Sequence, residues 1–278
     1  MSKSLNEQEV EQYKQDGYVC PIDVLSPDQV ATYRRRFEAY EQKHNGWYEL
    51  SKGQKLYLLQ TWVSELASNP KILDAVEDVM GPNLMVWGSS LFIKEPGQGT
   101  YVSWHQDSTY WGLSKPKVLT AWIALSPATA VSGCMKMIPG THKWDQVKHT
   151  DTLDEKNLLT RGQKVAVDVN EDESILAKLL PGQMSLHDVR IVHSSDPNAS
   201  DDRRIGVAIR YITPDVEQVN AENDSAWLVR GEDTHGNFIH ETPPASDMDP
   251  AALAEHERIL KLRQGVLYRN VDGNPAHI

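Results

Sequence analysis

Hydrophobic and polar positions change their rhythm about a third of the way along the chain. Up to residue 82 the spacing is helical. Asn6 to Gln15 predicts a short polar helix, and Ser26-Pro27-Asp28-Gln29 supplies an N-cap, a proline at the first helical position and an acidic first turn ahead of Val30 to Lys43. Val63 to Met80 predicts a third helical stretch, interrupted near Pro70 and closed by Gly81-Pro82. Between the first two, Gly17 to Ile22 has the apolar bias of a short strand. From Leu84 onward the runs are strand-like: Leu84 to Lys94, Val118 to Leu125, Gly133 to Ile138, Gln183 to His193 and Arg203 to Ile212, punctuated by Gly and Pro. Asp151 to Leu180 is polar without a clean period, which predicts either an insertion with a short helix or a mobile loop near a site. Asp249-Pro250 predicts the start of a last helix running to about Gln264, with Gly265 ending it. No internal repeat or linker divides the chain, so one domain is expected over 1–278: a helical front (1–82), a β-rich core (about 84–214), and a tail with a helix (215–278).

Composition removes several function classes. The 278 residues carry 28 Lys plus Arg against 39 Asp plus Glu, a formal charge of -11, which repels a polyanion and disfavours nucleic acid as partner. The longest apolar runs fall far short of a membrane span, and Met1 to Lys14 lacks the apolar stretch of a signal peptide. Cys20 and Cys134 belong to no CxxC pair or larger framework, so they read as core thiols in a reducing compartment. A soluble, cytoplasmic protein without membrane or nucleic-acid partners is expected; the oligomeric state is not legible.

The chemistry concentrates in Ser103-Trp104-His105-Gln106-Asp107. In an extended strand alternate side chains share a face, so His105 and Asp107 point the same way and can grip one metal ion. A third ligand must come from elsewhere, and His193 is a candidate; His142, His149, His187 and His235 read equally as surface, core or supporting residues. Two imidazoles and one carboxylate on one face of an octahedral metal leave open positions for a bidentate cosubstrate and dioxygen, as in non-haem Fe(II) oxygenases. Arg204, 11 residues after His193, opens the strand pattern Arg204 to Tyr211, and its guanidinium can hold the distal carboxylate of 2-oxoglutarate.

His105-Gln106-Asp107, Thr120-Ala121-Trp122, Ser132-Gly133-Cys134 with Pro139-Gly140-Thr141-His142, and His193 with Ser195, Asn198 and Arg204 together resemble the phytanoyl-CoA dioxygenase family of Fe(II)/2-oxoglutarate oxygenases. The opening Tyr13 to Val19 is similar too, so the resemblance extends to about Pro214. It implies a double-stranded β-helix, a mainly β jelly roll with supporting helices. It also implies iron ligands His105, Asp107 and His193, Arg204 and Ser195 near the distal carboxylate, Thr120 and Trp122 lining the cosubstrate pocket, and Gln106 beside the metal. The implied reaction converts 2-oxoglutarate and O2 to succinate and CO2 while oxidising a substrate C–H bond. Related halogenases replace the carboxylate with a small residue; Asp107 is kept, which favours hydroxylation.

For the substrate, Tyr110 and Trp111 present two aromatics just after the metal motif, either to stack on a flat or cationic molecule or to form a packed rim. Arg161 and Gln163 in the polar insertion, and Trp227 with Arg230 in the tail, are candidates to fold over the site. The acidic balance disfavours a CoA thioester, so a small polar or cationic metabolite, modified by a natural-product tailoring hydroxylase, is the expected substrate class. The alternatives are an acyl-CoA or phosphonate hydroxylase of the same family, or a zinc-binding or non-catalytic jelly roll.

Overall fold

The computed structural model describes residues 3–46 and 54–267; residues 1–2 and 47–53 of the expected helical front and 268–278 of the expected tail lie outside them. The front forms where the capping signals place it. Helix α1 (Glu7–Asp16) is capped by Asn6 and α2 (Pro27–His44) by Ser26, each with a reciprocal capping box through Glu9 and Gln29. The third helical stretch divides at the proline into α3 (Thr61–Ala67) and α4 (Pro70–Met80), the latter capped by the Asn69 side chain.

Two antiparallel sheets follow. The larger is ordered β1 (Tyr18–Asp23), β9 (Gln183–Asp188), β4 (Val118–Ala124), β11 (Arg204–Ile212), β2 (Leu84–Lys94), β12 (Ser225–Arg230), with β13 (Ile239–His240) added in parallel at the edge. The smaller is ordered β3 (Val102–His105), β10 (His193–Ser195), β5 (Met135–Met137), β8 (Ile175–Ala177). This is the jelly-roll arrangement expected for the chain.

Alternation along the central strands decides what each face does. On β11, Ile205, Val207, Ile209 and Tyr211 face outward and pack with Val63, Leu66, Ile72 and Val76 of α3 and α4; the Tyr211 hydroxyl donates to the Ala67 carbonyl at 2.9 Å. The even positions Arg204, Gly206, Ala208 and Arg210 therefore face the space between the sheets. Register extends this pattern into rows: Arg210 lies beside Thr120, and Thr120 beside His187; Ala208 lies beside Trp122, and Trp122 beside Ser185; Arg204 lies beside Lys94.

Four expected boundaries are corrected. The run Gln183 to His193 is two strands in different sheets, because Asp188 turns the chain: its carboxylate accepts from the Arg190 N–H at 2.9 Å and its carbonyl from the Ile191 N–H at 3.1 Å. That turn contains neither Gly nor Pro, so an apolar run conceals it. His105 ends β3 and Asp107 opens a 3₁₀ turn (Asp107–Tyr110), although Gln106 between them stays extended and preserves the alternation. The polar insertion holds a short 3₁₀ helix (Glu171–Glu173), as one of the two expected forms had it, together with strands that were not expected: β6 (His149–Thr150) pairs with β7 (Lys164–Val165), and β8 joins the smaller sheet. The last helix, α5 (Pro250–Leu267), passes through Gly265, because Ile259, Arg263 and Val266 continue one buried stripe beyond it.

Candidate metal and cosubstrate site

A partly open cavity lies between the sheets, and the candidate ligands meet at its wall. One nitrogen from each of His105 and His193 and one oxygen of Asp107 lie within 4.8 Å of one another; His105 Nε2 is 3.3 Å from Asp107 Oδ1. The antiparallel pairing of β10 with β3 sets His193 opposite His105, which explains how residues 88 apart converge. The opposite ring nitrogens are held by backbone carbonyls: His105 Nδ1 lies 2.9 Å from the Ser103 oxygen and His193 Nδ1 lies 3.0 Å from that of Ile191. Both contacts orient the rings and leave Nε2 for a ligand, the usual support for metal-bound imidazole.

The electrostatics suit a cation. Burial pushes the Asp107 carboxyl up, but the His105 hydrogen bond and the nearby His193 and Arg210 outweigh it and hold the group well below the usual carboxylate range. Burial, reinforced by His105, lowers His193 far below an ordinary histidine, so its imidazole is neutral. The set is therefore one carboxylate with a neutral imidazole and a second imidazole whose Nε2 is left for a ligand, chemistry that fits Fe(II).

At the other end of the cavity lies Arg204. It is 1% exposed, its Nη1 donates to the Gly133 carbonyl at 2.7 Å, its guanidinium lies 5.2 Å above the Trp122 ring, and its Nε has no partner. Among the described residues it makes no ion pair, and burial pushes its pKa down to about 10. A buried guanidinium with no counter-charge is costly, and a bound carboxylate relieves that cost. Lys94, also buried, donates to Ser195 Oγ at 2.6 Å and to the Ser195 and Asp196 carbonyls; burial and the neighbouring Arg204 charge lower it to about 6. Gly206 makes room for the Trp122 ring that lies against Arg204: a Cβ there would sit 1.8 Å from Trp122 Cζ2.

The sequence candidates divide. His105, Asp107, His193, Thr120, Trp122, Ser195 and Arg204 all line this cavity. The Thr120 hydroxyl donates to Asp107 Oδ2 at 3.4 Å. Gln106 lies outside it, because the extended backbone turns it to the opposite side from its neighbours; its amide donates to the Arg190 carbonyl at 2.8 Å and accepts from Gln146 and the Val147 N–H, both at 2.9 Å. His149 accepts from the Gln106 N–H at 3.0 Å and pins the start of the 3₁₀ turn.

Tyr110 and Trp111 are each already faced by a guanidinium, Arg161 at 3.8 Å and Arg210 at 5.1 Å. Arg161 also pairs with Asp151, which accepts from the Tyr110 hydroxyl at 3.0 Å, and Gln163 accepts from the Arg161 N–H at 3.2 Å. These residues tie the insertion to the turn beside the metal ligands. Trp227 is remote, on β12 against Tyr57, and Arg230 pairs with Asp74 and Glu77 of α4. Arg210, His187 and Lys94 line or support the cavity without having been singled out; the even spacing from Arg204 to Arg210 on one strand is the signal that identifies Arg210.

Among known proteins, a structure described as the apo non-heme monooxygenase ThoJ is 32% identical, aligns over 94% of this chain and 97% of that one, and superposes with a TM-score of 0.82. CytC3 with Fe(II) and alpha-ketoglutarate, 23% identical with a TM-score of 0.64 over 87% of this chain and 94% of that one, shares the fold. A relative from Stutzerimonas stutzeri, named a probable alpha-ketoglutarate-dependent hypophosphite dioxygenase, is 28% identical over 179 residues, 63% of this chain. The chain spans about six-tenths of the length of the curated relatives it matches, 58% and 63% for the first two. The family model for phytanoyl-CoA dioxygenase matches residues 13–206, and with the converged triad and the buried arginine on its matched strands, the chain belongs to the phytanoyl-CoA dioxygenase family of iron- and 2-oxoglutarate-dependent oxygenases.

Proposed function

We propose that the protein is an Fe(II)- and 2-oxoglutarate-dependent hydroxylase that oxidises an unactivated C–H bond of a small polar metabolite, as a tailoring step in natural-product biosynthesis. The observation that carries this reading is Arg204, a buried guanidinium without a counter-ion, placed across one cavity from a His, Asp, His triad. A hydrolytic zinc site has no use for such a dicarboxylate anchor. Bound iron, with 2-oxoglutarate and O2, supplies the oxidising chemistry and leaves succinate and CO2.

The residues of this chain supply position and environment. His105 and His193 present Nε2 because their Nδ1 atoms are held by carbonyls, and Asp107 stays ionised under the influence of His105, His193 and Arg210. Arg204 would hold the far carboxylate, with Ser195 in the same cavity wall. Phe92, Val102, Met135 and Trp122 line the space between with apolar surface and keep water from the reacting centre. The expected stacking of a cation on Tyr110 and Trp111 is not carried into this proposal, since guanidinium groups of the chain already lie against both rings.

Anaerobic titration with Fe(II) and then 2-oxoglutarate tests the proposal. A visible metal-to-ligand charge-transfer band is expected; Asp107→Ala should abolish turnover, and Arg204→Ala should raise the 2-oxoglutarate requirement roughly 100-fold, the scale of a lost charge-assisted pair. A wild-type protein that shows no band would overturn the reading.

A further inference from the structure

Arg204 has a counterpart. Arg210 stands six residues along the same strand on the same inner face, so their Cα atoms are roughly 20 Å apart. Its Nη1 donates to Ser90 Oγ at 3.0 Å, its guanidinium lies 5.1 Å from the Trp111 ring, and its Nε is buried without a partner. Among the described residues it makes no ion pair, although it shares the cavity wall with Asp107.

Its place relative to the triad distinguishes it from Arg204. Thr120 reaches Asp107, and the His187 and His193 rings lie 5.1 Å apart, so the row formed by Arg210, Thr120 and His187 is level with the triad. A keto acid held between the triad and Arg204 extends away from that row. Arg210 therefore lies to the side of the metal position that the cosubstrate leaves open. Beside it His187 Nδ1 has no hydrogen-bond partner, a second polar group facing the same space.

We infer that Arg210 is the specificity-determining residue for the prime substrate, which carries an oxyanion, a carboxylate or a phosphonate, that pairs with this guanidinium while the C–H bond to be oxidised lies over the triad. This inference rests on the hydroxylase reading above and adds the charge of the substrate to it. The carboxylate and phosphonate arms of the test distinguish the two sources of the anion.

The test uses the protein loaded anaerobically with Fe(II) and 2-oxoglutarate, and calorimetry with two matched pairs: N-acetylglycine against N-acetylglycinamide, and methylphosphonate against its dimethyl ester. The charged member of at least one pair should bind about tenfold or more tightly than the neutral one. Arg210→Gln should remove that preference while changing 2-oxoglutarate affinity less than about twofold, unlike Arg204→Ala. Arg210→Lys should keep the charge preference, and so serves if the Gln variant does not fold. Equal binding of charged and neutral members, binding of neither, a preference that survives in Arg210→Gln, or a loss of 2-oxoglutarate affinity there instead would each overturn the inference. The spectrum of the same loaded protein separates the two readings: absence of the charge-transfer band removes the hydroxylase assignment, whereas loss of the anion preference with the band intact removes only the role of Arg210.

Discussion

At residue scale, burial rather than residue type separates the histidines and arginines of this chain. His187, 1% exposed, is pushed by burial down to about 4. An unfolded histidine takes up its proton near pH 6.5, so between about 6.5 and 4 the unfolded chain binds more protons and stability falls as pH falls. The loss is complete once the folded-state value is passed and amounts to roughly 3 kcal/mol. Denaturant unfolding of metal-free protein at pH 7 and pH 4 should show His187→Gln losing that much less than the wild type; parallel losses would refute the assignment. The spacing His105, Asp107 and the distant His193 were legible from the sequence, because chelation demands residue types that are distinctive. Lys94 was not, because a basic residue inside a strand pattern reads the same whether it faces solvent or a cavity, and Arg210 was legible only through its even spacing from Arg204.

At the scale of elements, α5 is fastened to the larger sheet by a buried polar network. Arg263 donates to the Trp87 carbonyl at 2.9 Å and lies 3.4 Å from Asp224, while Lys55 pairs with Glu241 at 2.6 Å and both side chains are fully buried. Glu241 also accepts from the hydroxyls of Tyr57, at 2.5 Å, and Ser225, at 2.6 Å. Removing one partner of such a pair strands the others, so Glu241→Ala should cost about 3–5 kcal/mol in denaturant unfolding. Iron and 2-oxoglutarate affinities below the transition should stay unchanged, since the network lies outside the cavity wall. Long strands such as Leu84–Lys94 announce themselves in the sequence. Of the three-residue strands, β5 lies within the expected run Gly133 to Ile138, whereas β8 and β10 were not read as separate strands, because no period is established over so few positions.

Across the whole molecule, the family resemblance implied the jelly roll and the order of helices before strands agreed with it; the alternation on β4 and β11 shows why it works: one set of positions holds the helices and the other furnishes the cavity. The triad and the anchor nevertheless belong to different layers. His105 and His193 ride on the smaller sheet, with Asp107 directly after it, whereas Arg204 belongs to the larger one. On the proposed reading, a dicarboxylate spanning them would be a removable crosslink between two plates. With metal and 2-oxoglutarate present, amide hydrogen exchange in β3 and β10 should slow beyond what metal alone produces, and Arg204→Ala should lose that additional slowing. Succinate keeps the far carboxylate that Arg204 would hold, so the brace would outlast the chemistry, and only departure of the product would free the plates, once per cycle.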